Sequence, residues 1–229
     1  MMEPKIWLAG IGEQEKRSRR FRAFQSDSNH DLISRSSRWP RNHDSINIDV
    51  KPSQLEMRTL RLEDEESFGK AVEAFKMDTP PWEFAFRFDP TTGFAKYVRK
   101  LENWSRGLEL PSHFVPNTYY VGVVDGVIIG RLSLRHRLND FLSRVGGHVG
   151  YGVVPAHRRR GYATEMLRQS LPICASLQIQ RVLITCDVDN VGSRKVIEHC
   201  GGIFEGVTDY PDLRIQKRRY WIETTPHRA

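Results

Sequence analysis

Long apolar runs and cysteines are both scarce in this sequence of 229 residues. No stretch approaches the ~18 consecutive apolar residues that a membrane span needs, and no A-x-A-type cleavage site follows the short run IWLAGIG (6–12). The cysteines Cys174, Cys186 and Cys200 include no C-x-x-C pair, and no histidine lies at zinc-ligand spacing from them. This argues against a disulfide framework and a metal site. We therefore expect a cytoplasmic protein that binds no metal and buries its cysteines as small apolar residues.

Acidic residues are outnumbered by basic ones, which gives a net charge of +7 and a pI near 9.5. A basic balance indicates an anionic partner, and RNA, an acidic protein or a phosphate-rich cofactor would all satisfy it. The basic runs are KRSRR (16–20), RHR (135–137), HRRR (157–160) and KRR (217–219). Because they fall on different predicted elements and not on one face, nucleic-acid binding ranks last among the candidate functions.

The first 53 residues differ in composition from the rest of the chain. They are rich in serine, arginine and asparagine, and they show neither a helical nor a strand period. We interpret residues 1–53 as a disordered or loosely attached basic arm. Residues 54–229 are then a single domain, which suits the usual size range.

Periodic patterns in residues 54–229 predict an α/β (α+β) fold. The expected order of elements is β-α-α-β-β-β-α-β-α-β-β, with the dipeptide Asp125-Gly126 turning the hairpin between two of the strands. Several antiparallel strands followed by a β-α-β-α run predict a mixed, mostly antiparallel central sheet with helices on both faces. The predicted strands include 118–124, 127–135, 146–155, 181–187 and 217–224, and the predicted helices include 96–110, the segment after Gly161, and 190–202.

The stretch HRRRGYATEM (157–166) places three arginines against a glycine that opens a helix. Backbone N–H groups at a helix start lack intrahelical partners and, with the helix dipole, attract anions. Glycine allows a tight turn and a close approach of phosphate. The alternative is an exposed basic loop before an amphipathic helix, since neither the G-x-x-x-x-G-K-[ST] pattern nor the G-x-G-x-x-G pattern is present.

This stretch resembles the acetyl-CoA loop [QR]-x-x-G-x-[GA] of the GNAT N-acetyltransferase superfamily, through Arg158-Arg159-Arg160-Gly161-Tyr162-Ala163. Val153-Val154-Pro155 resembles the end of the family's fourth strand, and Asn190, Ser193, Ile197-Glu198 and Gly201-Gly202 are similar to its later motif. The resemblance is dense from about 118 to 223, thinner from 54 to 117, and absent from 1–53.

The resemblance implies acetyl-CoA as co-substrate, with the central sheet and flanking helices of the GNAT fold. It implies that a backbone N–H at Val153 or Val154 stabilises the tetrahedral oxyanion. The cofactor contacts that it implies are Tyr151, Gly152 and Val153 for the pantetheine arm, Arg158, Arg159, Arg160, Gly161, Tyr162, Ala163 and Thr164 for the pyrophosphate, and Asn190 with Ser193 beside the pantetheine.

Two acid–base residues common in relatives are missing. Ile197 occupies the position of a tyrosine that protonates the leaving thiolate, and Thr185 occupies that of a glutamate. Three residues remain candidates for the base. His148 has a suitable unperturbed pKa but would equally suit a buried structural role; Asp187 ends a strand or caps the next helix; and Tyr120 is the weakest, because strand tyrosines usually pack in cores.

The predicted function is transfer of an acetyl group from acetyl-CoA to a primary amine by direct attack in a ternary complex. The acceptor is a small-molecule or peptide amine: the aromatic segment 80–90 with Trp104 favours the former, and acidic residues 63–66 the latter. A non-catalytic acetyl-CoA-binding module is the alternative. No membrane partner is expected, and the exposed strands of such folds leave a homodimer open.

Overall fold

The computed structural model describes residues 54–79, 82–210 and 215–224. They form one seven-stranded sheet in the order β1-β2-β3-β4-β5-β7-β6, with helices on both faces. The basic arm predicted for residues 1–53 lies outside the described residues. The predicted order of strands and helices is confirmed, as is the mostly antiparallel sheet; among the described strands β4 and β5 are the one parallel pair.

The elements have the following bounds. The strands are β1 (Glu56–Thr59), β2 (Asn117–Val124), β3 (Val127–Arg135), β4 (Val149–Val153), β5 (Arg181–Asp187), β6 (Ile203–Tyr210) and β7 (Ile215–Glu223), and the helices are α1 (Glu65–Lys76), α2 (Phe94–Ser105), α3 (Tyr162–Ser176) and α4 (Val191–His199). Among the described helices, none is long and apolar enough to cross a membrane.

Two apolar cores lie on opposite faces of the sheet. The first face carries α1 and α2 and is dominated by aromatic rings, among them Phe68, Phe75 and Tyr97. The second carries α3 and α4, with Met166 and Leu167 fully buried. Trp104 is 3% exposed in the first core, so the expectation that it lines an acceptor pocket is wrong.

Glycine geometry sets several boundaries that the sequence placed differently. The strand predicted for 146–155 begins only at Val149, because Gly147 has φ 65° and ψ −177°, a conformation open essentially to glycine alone. The helix predicted for 96–110 ends at Ser105, just before Gly107 at φ 79°. The helix after Gly161 runs as predicted and continues past Pro172 to Ser176.

A gap opens between β4 and β5 because their pairing is confined to one position, Val149 opposite Ile184. On its other side β4 pairs continuously with β3, from Gly130 opposite Val153 to Leu134 opposite Val149. Glycines within a strand often mark a bulge, but the register of this ladder is uninterrupted. Beyond Val149 the edge of β4 that faces β5 has no strand beside it, and this gap positions the candidate site.

Candidate functional site

The start of α3 lies at the open end of the gap. Gly161 is the N-cap in the left-handed conformation, at φ 82°, and its carbonyl accepts from the Glu165 N–H at 3.0 Å. Gly161 and the two preceding arginines, Arg159 and Arg160, are exposed. The first-turn N–H groups of a helix have no intrahelical acceptor, so this exposed, basic helix start can receive an anion, as the sequence predicted.

The side chain of Arg158 points away from this helix start. Its Nε donates to the Val153 carbonyl at 3.0 Å, and its two Nη atoms contact the carboxylate of Asp78, just after α1. Arg158 therefore ties the end of β4 to the end of α1. A cofactor contact at Arg158 stays a prediction for its backbone, whereas its guanidinium is already used within the protein.

A surface groove of about 620 Å³ runs from this helix start toward the end of α4. It begins at Gly161 and Thr164 and continues past Arg168 to His199 and Cys200. Arg168 pairs with Glu165 inside it. The groove gives a bound molecule room to extend away from the gap beyond the helix start.

The opposite wall of the gap joins β4 to the start of α4. The Tyr151 hydroxyl contacts Ser193 Oγ at 2.9 Å, and the Asn190 side chain caps α4 by accepting from the Ser193 N–H at 2.9 Å. Burial raises the pKa of Tyr151. The structure thus brings together three residues that the resemblance assigned to one end of the cofactor, although they lie some 40 positions apart.

The two candidates for an oxyanion donor are not equivalent. The Val154 N–H donates to the Ile129 carbonyl at 2.8 Å and so belongs to the β3 ladder. Alternate residues of an antiparallel strand bond to the same neighbour, so the N–H groups of Val153 and Tyr151 point away from β3 and into the gap. Of the two positions that the sequence left open, Val153 is the one with a backbone donor directed at the site.

His148 is buried at the closed end of the gap, with 8% of its surface exposed. Its ring Nδ1 accepts from the Leu183 backbone N–H at 2.9 Å, and the backbone N–H of His148 donates to the Leu183 carbonyl at 2.7 Å. Burial, and then the charge of Arg135, lower the pKa of His148 to about 4. This is the geometry of the structural alternative, a histidine that bridges β4 and β5.

Replacing His148 with asparagine should flatten the acid side of the stability profile. The folded pKa of about 4 lies below the unfolded value of ~6.5, so the unfolded chain binds the proton more tightly, and stability falls as pH drops through that window. Asparagine offers an oxygen to the Leu183 N–H but does not titrate. Urea denaturation at pH 7, 6, 5 and 4 measures the difference, in which the shared contributions of His136 and His157 cancel. Equal slopes in the two proteins would contradict this assignment.

Asp187 and Tyr120, the other candidate bases, lie in different places. Asp187 ends β5 at the open end of the gap, has a side chain 57% exposed and pairs with Lys217 on β7. Its side chain is not the helix cap that was the alternative, since Asn190 caps α4. Tyr120 lies on the second face, packed against the core beneath α3, and burial raises its pKa. Only Asp187 is both exposed and beside the gap.

The two positions that depart from the family pattern have structural roles here. Thr185 Oγ1 donates to the Val145 carbonyl at 2.7 Å. Ile197 is fully buried, and Gly202 packs so closely on it that an added Cβ would lie 2.4 Å from Ile197 Cγ2. Neither position supplies an acid or a base.

Three side chains cover β4 from the first face: Trp82, which belongs to the predicted aromatic segment 80–90, and two arginines that sequence reasoning missed. Trp82 lies over Gly152, where an added Cβ would be 2.4 Å from Cζ3 of the indole, and Arg135 lies over Gly150 at 3.4 Å from Nη1. The guanidinium of Arg131 stacks on Trp82, 4.1 Å from the ring centre. Gly150 and Gly152 leave room for these side chains, because they carry no Cβ. The sequence signal for the two arginines was their spacing, four residues apart in the otherwise apolar strand β3.

Possible metal ligands and the basic runs of the sequence can also be located in the structure. No group of three or more potential metal ligands occurs in the part of the chain that the structure describes. The basic runs within it form separate internal contacts: Arg158 with Asp78, Lys217 with Asp187, and Arg219 with Glu205. The run KRSRR lies outside the described residues.

Comparison with known proteins places this geometry in a family. Residues 54–203 match the family model described as an acetyltransferase (GNAT) domain. No curated protein matches the chain significantly.

Solved structures with the same fold include three acetyltransferases. Mycobacterium smegmatis RimJ in complex with CoA-disulfide is 21% identical with a TM-score of 0.56, over 74% of this chain and 81% of that one. Ribosomal-protein-S5-alanine acetyltransferase from Vibrio fischeri is 18% identical with a TM-score of 0.58, over 77% and 96%. The putative acetyltransferase yncA from Salmonella typhimurium, with its cofactor acetyl-CoA, is 14% identical with a TM-score of 0.51, over 77% and 97%.

Proposed function

The chain belongs to the GNAT acetyltransferase family and is an acetyl-CoA-dependent N-acetyltransferase; on that premise we propose that the β4–β5 gap is its active site. One observation carries the proposal: a strand edge with inward-pointing amides ends beside an exposed helix start in a basic loop. A strand edge recognises an extended, amide-bearing chain, and a helix start recognises a phosphate. Acetyl-CoA has both parts in this order.

Each part of the cofactor meets residues that fit its chemistry. The pyrophosphate lies at the N–H groups of Gly161 to Thr164, with the exposed Arg159 and Arg160 adding positive charge. The amides of the pantetheine arm pair with the free edge of β4 at Tyr151 and Val153. Asn190 and Ser193, already fixed to each other and to Tyr151, flank the arm from α4. The nucleotide end extends into the groove beside Gly161.

The reaction joins the acceptor nitrogen to the thioester carbon and releases the thiolate of coenzyme A. The Val153 N–H donates to the oxygen that becomes an oxyanion when the nitrogen attacks. Collapse of this intermediate breaks the carbon–sulfur bond. A thiol has a pKa of ~8.5, so the thiolate leaves without strong assistance and takes its proton from water. A dedicated acid is therefore dispensable, which suits a chain with Ile197 at the usual tyrosine position.

The acceptor amine must lose a proton before or during attack, since an alkylamine with a pKa of ~10.4 is mostly protonated at pH 7. Asp187 is the base in this proposal. Its carboxylate is exposed at the open end of the gap. His148 is buried, and Tyr120 packs against the core beneath α3. An exposed carboxylate reaches the amine through an intervening water.

Replacing Asp187 with asparagine is expected to lower kcat/KM about tenfold at pH 7, which is below the usual ~10²–10⁴-fold of general-base catalysis because bulk water partly substitutes for the base at an exposed site. Asparagine retains an oxygen for Lys217. The loss should shrink as pH rises toward the pKa of the amine, where a base is no longer needed. Steady-state rates from pH 6 to 10 test this. A loss that is constant across pH would assign Asp187 a positioning role.

The activity itself is tested by thiol release from acetyl-CoA in the presence of small amines, amino acids and basic peptides. Release that depends on one acceptor class would establish that class. Binding of acetyl-CoA without release from any acceptor would support a non-catalytic module, and absence of binding would overturn the assignment of the gap.

A further inference from the structure

Two guanidinium groups lie on the first face of the sheet, next to the proposed reaction centre. Arg131 is opposite Gly152 in the β3–β4 ladder, and directly opposed residues share a face. Arg135 follows Leu134 in β3 and lies on the same face as Arg131. Its guanidinium lies over Gly150 of β4. Gly152 immediately precedes Val153, whose N–H enters the gap.

Both groups are short of partners for their charge. Arg131 is 7% exposed; its Nη1 donates to Ser133 Oγ at 3.1 Å and its Nη2 to the Glu83 carbonyl at 3.3 Å. Its Nε is buried with no hydrogen-bond acceptor among the described residues. Arg135 is half-buried, and its Nη1 donates to the carbonyls of Gly146 and Gly147.

Neither guanidinium forms a salt bridge within the described parts of the chain, in contrast to other shielded arginines. Arg58 pairs with Asp64, and Arg219 with Glu205. The carboxylate of Glu83, whose charge acts on Arg131, instead accepts from the Arg87 backbone N–H at 2.8 Å. Burying a charge without a counter-ion costs several kcal/mol in order of magnitude. Arg131 is buried in this way and the half-buried Arg135 adds a second cation on the same face, so the pair points to a missing anion.

The surroundings confirm that the pair creates a positive environment. Burial and, after it, the neighbouring Arg131 lower the pKa of Arg135 to about 10, which still leaves Arg135 charged at neutral pH. The field also reaches His148, since Arg135 contributes to lowering its pKa. A simple alkylammonium ion is repelled by this wall, whereas an amine that also carries a carboxylate supplies the missing counter-ion.

We infer that the acceptor is an amine bearing a carboxylate a few bonds away, with the carboxylate bound between Arg131 and Arg135 and the amine directed at the gap. This inference rests on the proposed function and names its substrate class. Trp82, stacked on Arg131 and lying over Gly152, forms the apolar wall between the two ends of the acceptor. Guanidinium–carboxylate contacts of this kind fix position as well as supplying affinity.

A chain-length series tests the inference without relying on any variant. The full chain is first titrated with coenzyme A by calorimetry, and the loaded protein is then titrated with ω-amino acids from glycine to 6-aminohexanoate and with n-alkylamines of the same lengths. At one length we expect the amino acid to bind at least ~10-fold tighter than its alkylamine, the size of a hydrogen bond to a charged group. The same amino acid should give the fastest thiol release from acetyl-CoA.

Variants then assign the preference to the two arginines. Arg135→Gln and Arg131→Gln should each reduce the amino-acid preference to about threefold or less, without weakening the alkylamine. This ratio is insensitive to a general loss of stability. Arg137→Gln, which removes an exposed charge two residues away, is the matched control and should leave the ratio unchanged.

Each outcome decides a different point. Failure of coenzyme A to bind would refute the proposed function itself. Coenzyme A binding with no amino-acid preference at any length, or with no amine bound at all, would overturn the inferred acceptor class and leave the cofactor site standing. A preference that persists in both arginine variants would also overturn it.

Discussion

Replacing Gly161 with aspartate is expected to weaken acetyl-CoA binding about 100-fold relative to replacing it with asparagine. Gly161 is the left-handed N-cap at which the pyrophosphate is proposed to bind. Two unit charges held about 5 Å apart at an effective dielectric constant near 20 repel by about 3 kcal/mol, which sets the expected size of the effect.

The asparagine variant is the control because it matches aspartate in size and differs in charge. Both residues tolerate a left-handed φ better than other side chains do, so both proteins should fold. Calorimetric titration with acetyl-CoA gives the two dissociation constants, and melting curves confirm equal folding. If the two variants bound equally well, the phosphate would not lie at this helix start.

Replacing Gly147 with alanine is expected to destabilise the fold by about 4 kcal/mol. Gly147 combines φ 65° and ψ −177° with a tightly covered position, where an added Cβ would lie 2.6 Å from the Leu183 carbonyl oxygen. The backbone strain costs roughly 1–3 kcal/mol, and forcing the β5 backbone away costs a similar amount again. The two costs add because one is local and the other is a contact between strands.

Gly201→Ala separates these two costs. Gly201 also has a positive φ, 85°, but an added Cβ there meets no atom within 4 Å. This variant should lose only about 1 kcal/mol, the ordinary penalty of a left-handed residue. Urea denaturation of both variants gives the difference in unfolding free energy. Similar losses would show that β5 yields readily at the closed end of the gap.

Local rules were sufficient for the parts of the site that are made by neighbouring residues. Gly161 and the helix behind it follow from capping and periodicity, and the Asp125-Gly126 hairpin has φ values of 48° and 77°, as its turn type requires. The gap itself was not predicted, because a single parallel pairing between β4 and β5 leaves no local pattern in either strand. The resemblance supplied only the cofactor contacts expected at Tyr151, Gly152 and Val153.

Long-range contacts were what the sequence could not supply. Arg158 read as a phosphate ligand from its neighbours, but its partner Asp78 lies 80 positions away. Trp82 stacks on Arg131 from a loop nearly 50 positions earlier, and Glu83 contributes a carbonyl over the same separation. Trp104 was expected to line a pocket, but it is buried against Phe86 and Phe114, and the sequence does not show those contacts. Such pairings depend on the packed fold.

The single pairing between β4 and β5 also makes the cofactor a mechanical part of the protein. Strands β1–β4 form one block and β5–β7–β6 another. Beyond Val149 and Ile184 the strands β4 and β5 are not paired. A pantetheine arm bound in the gap would add hydrogen bonds between the two blocks, so the cofactor concentration affects the free energy of unfolding. At 100 times its dissociation constant the cofactor adds about 2.7 kcal/mol to stability. The supply of acetyl-CoA would thus govern the lifetime of the folded enzyme as well as its rate.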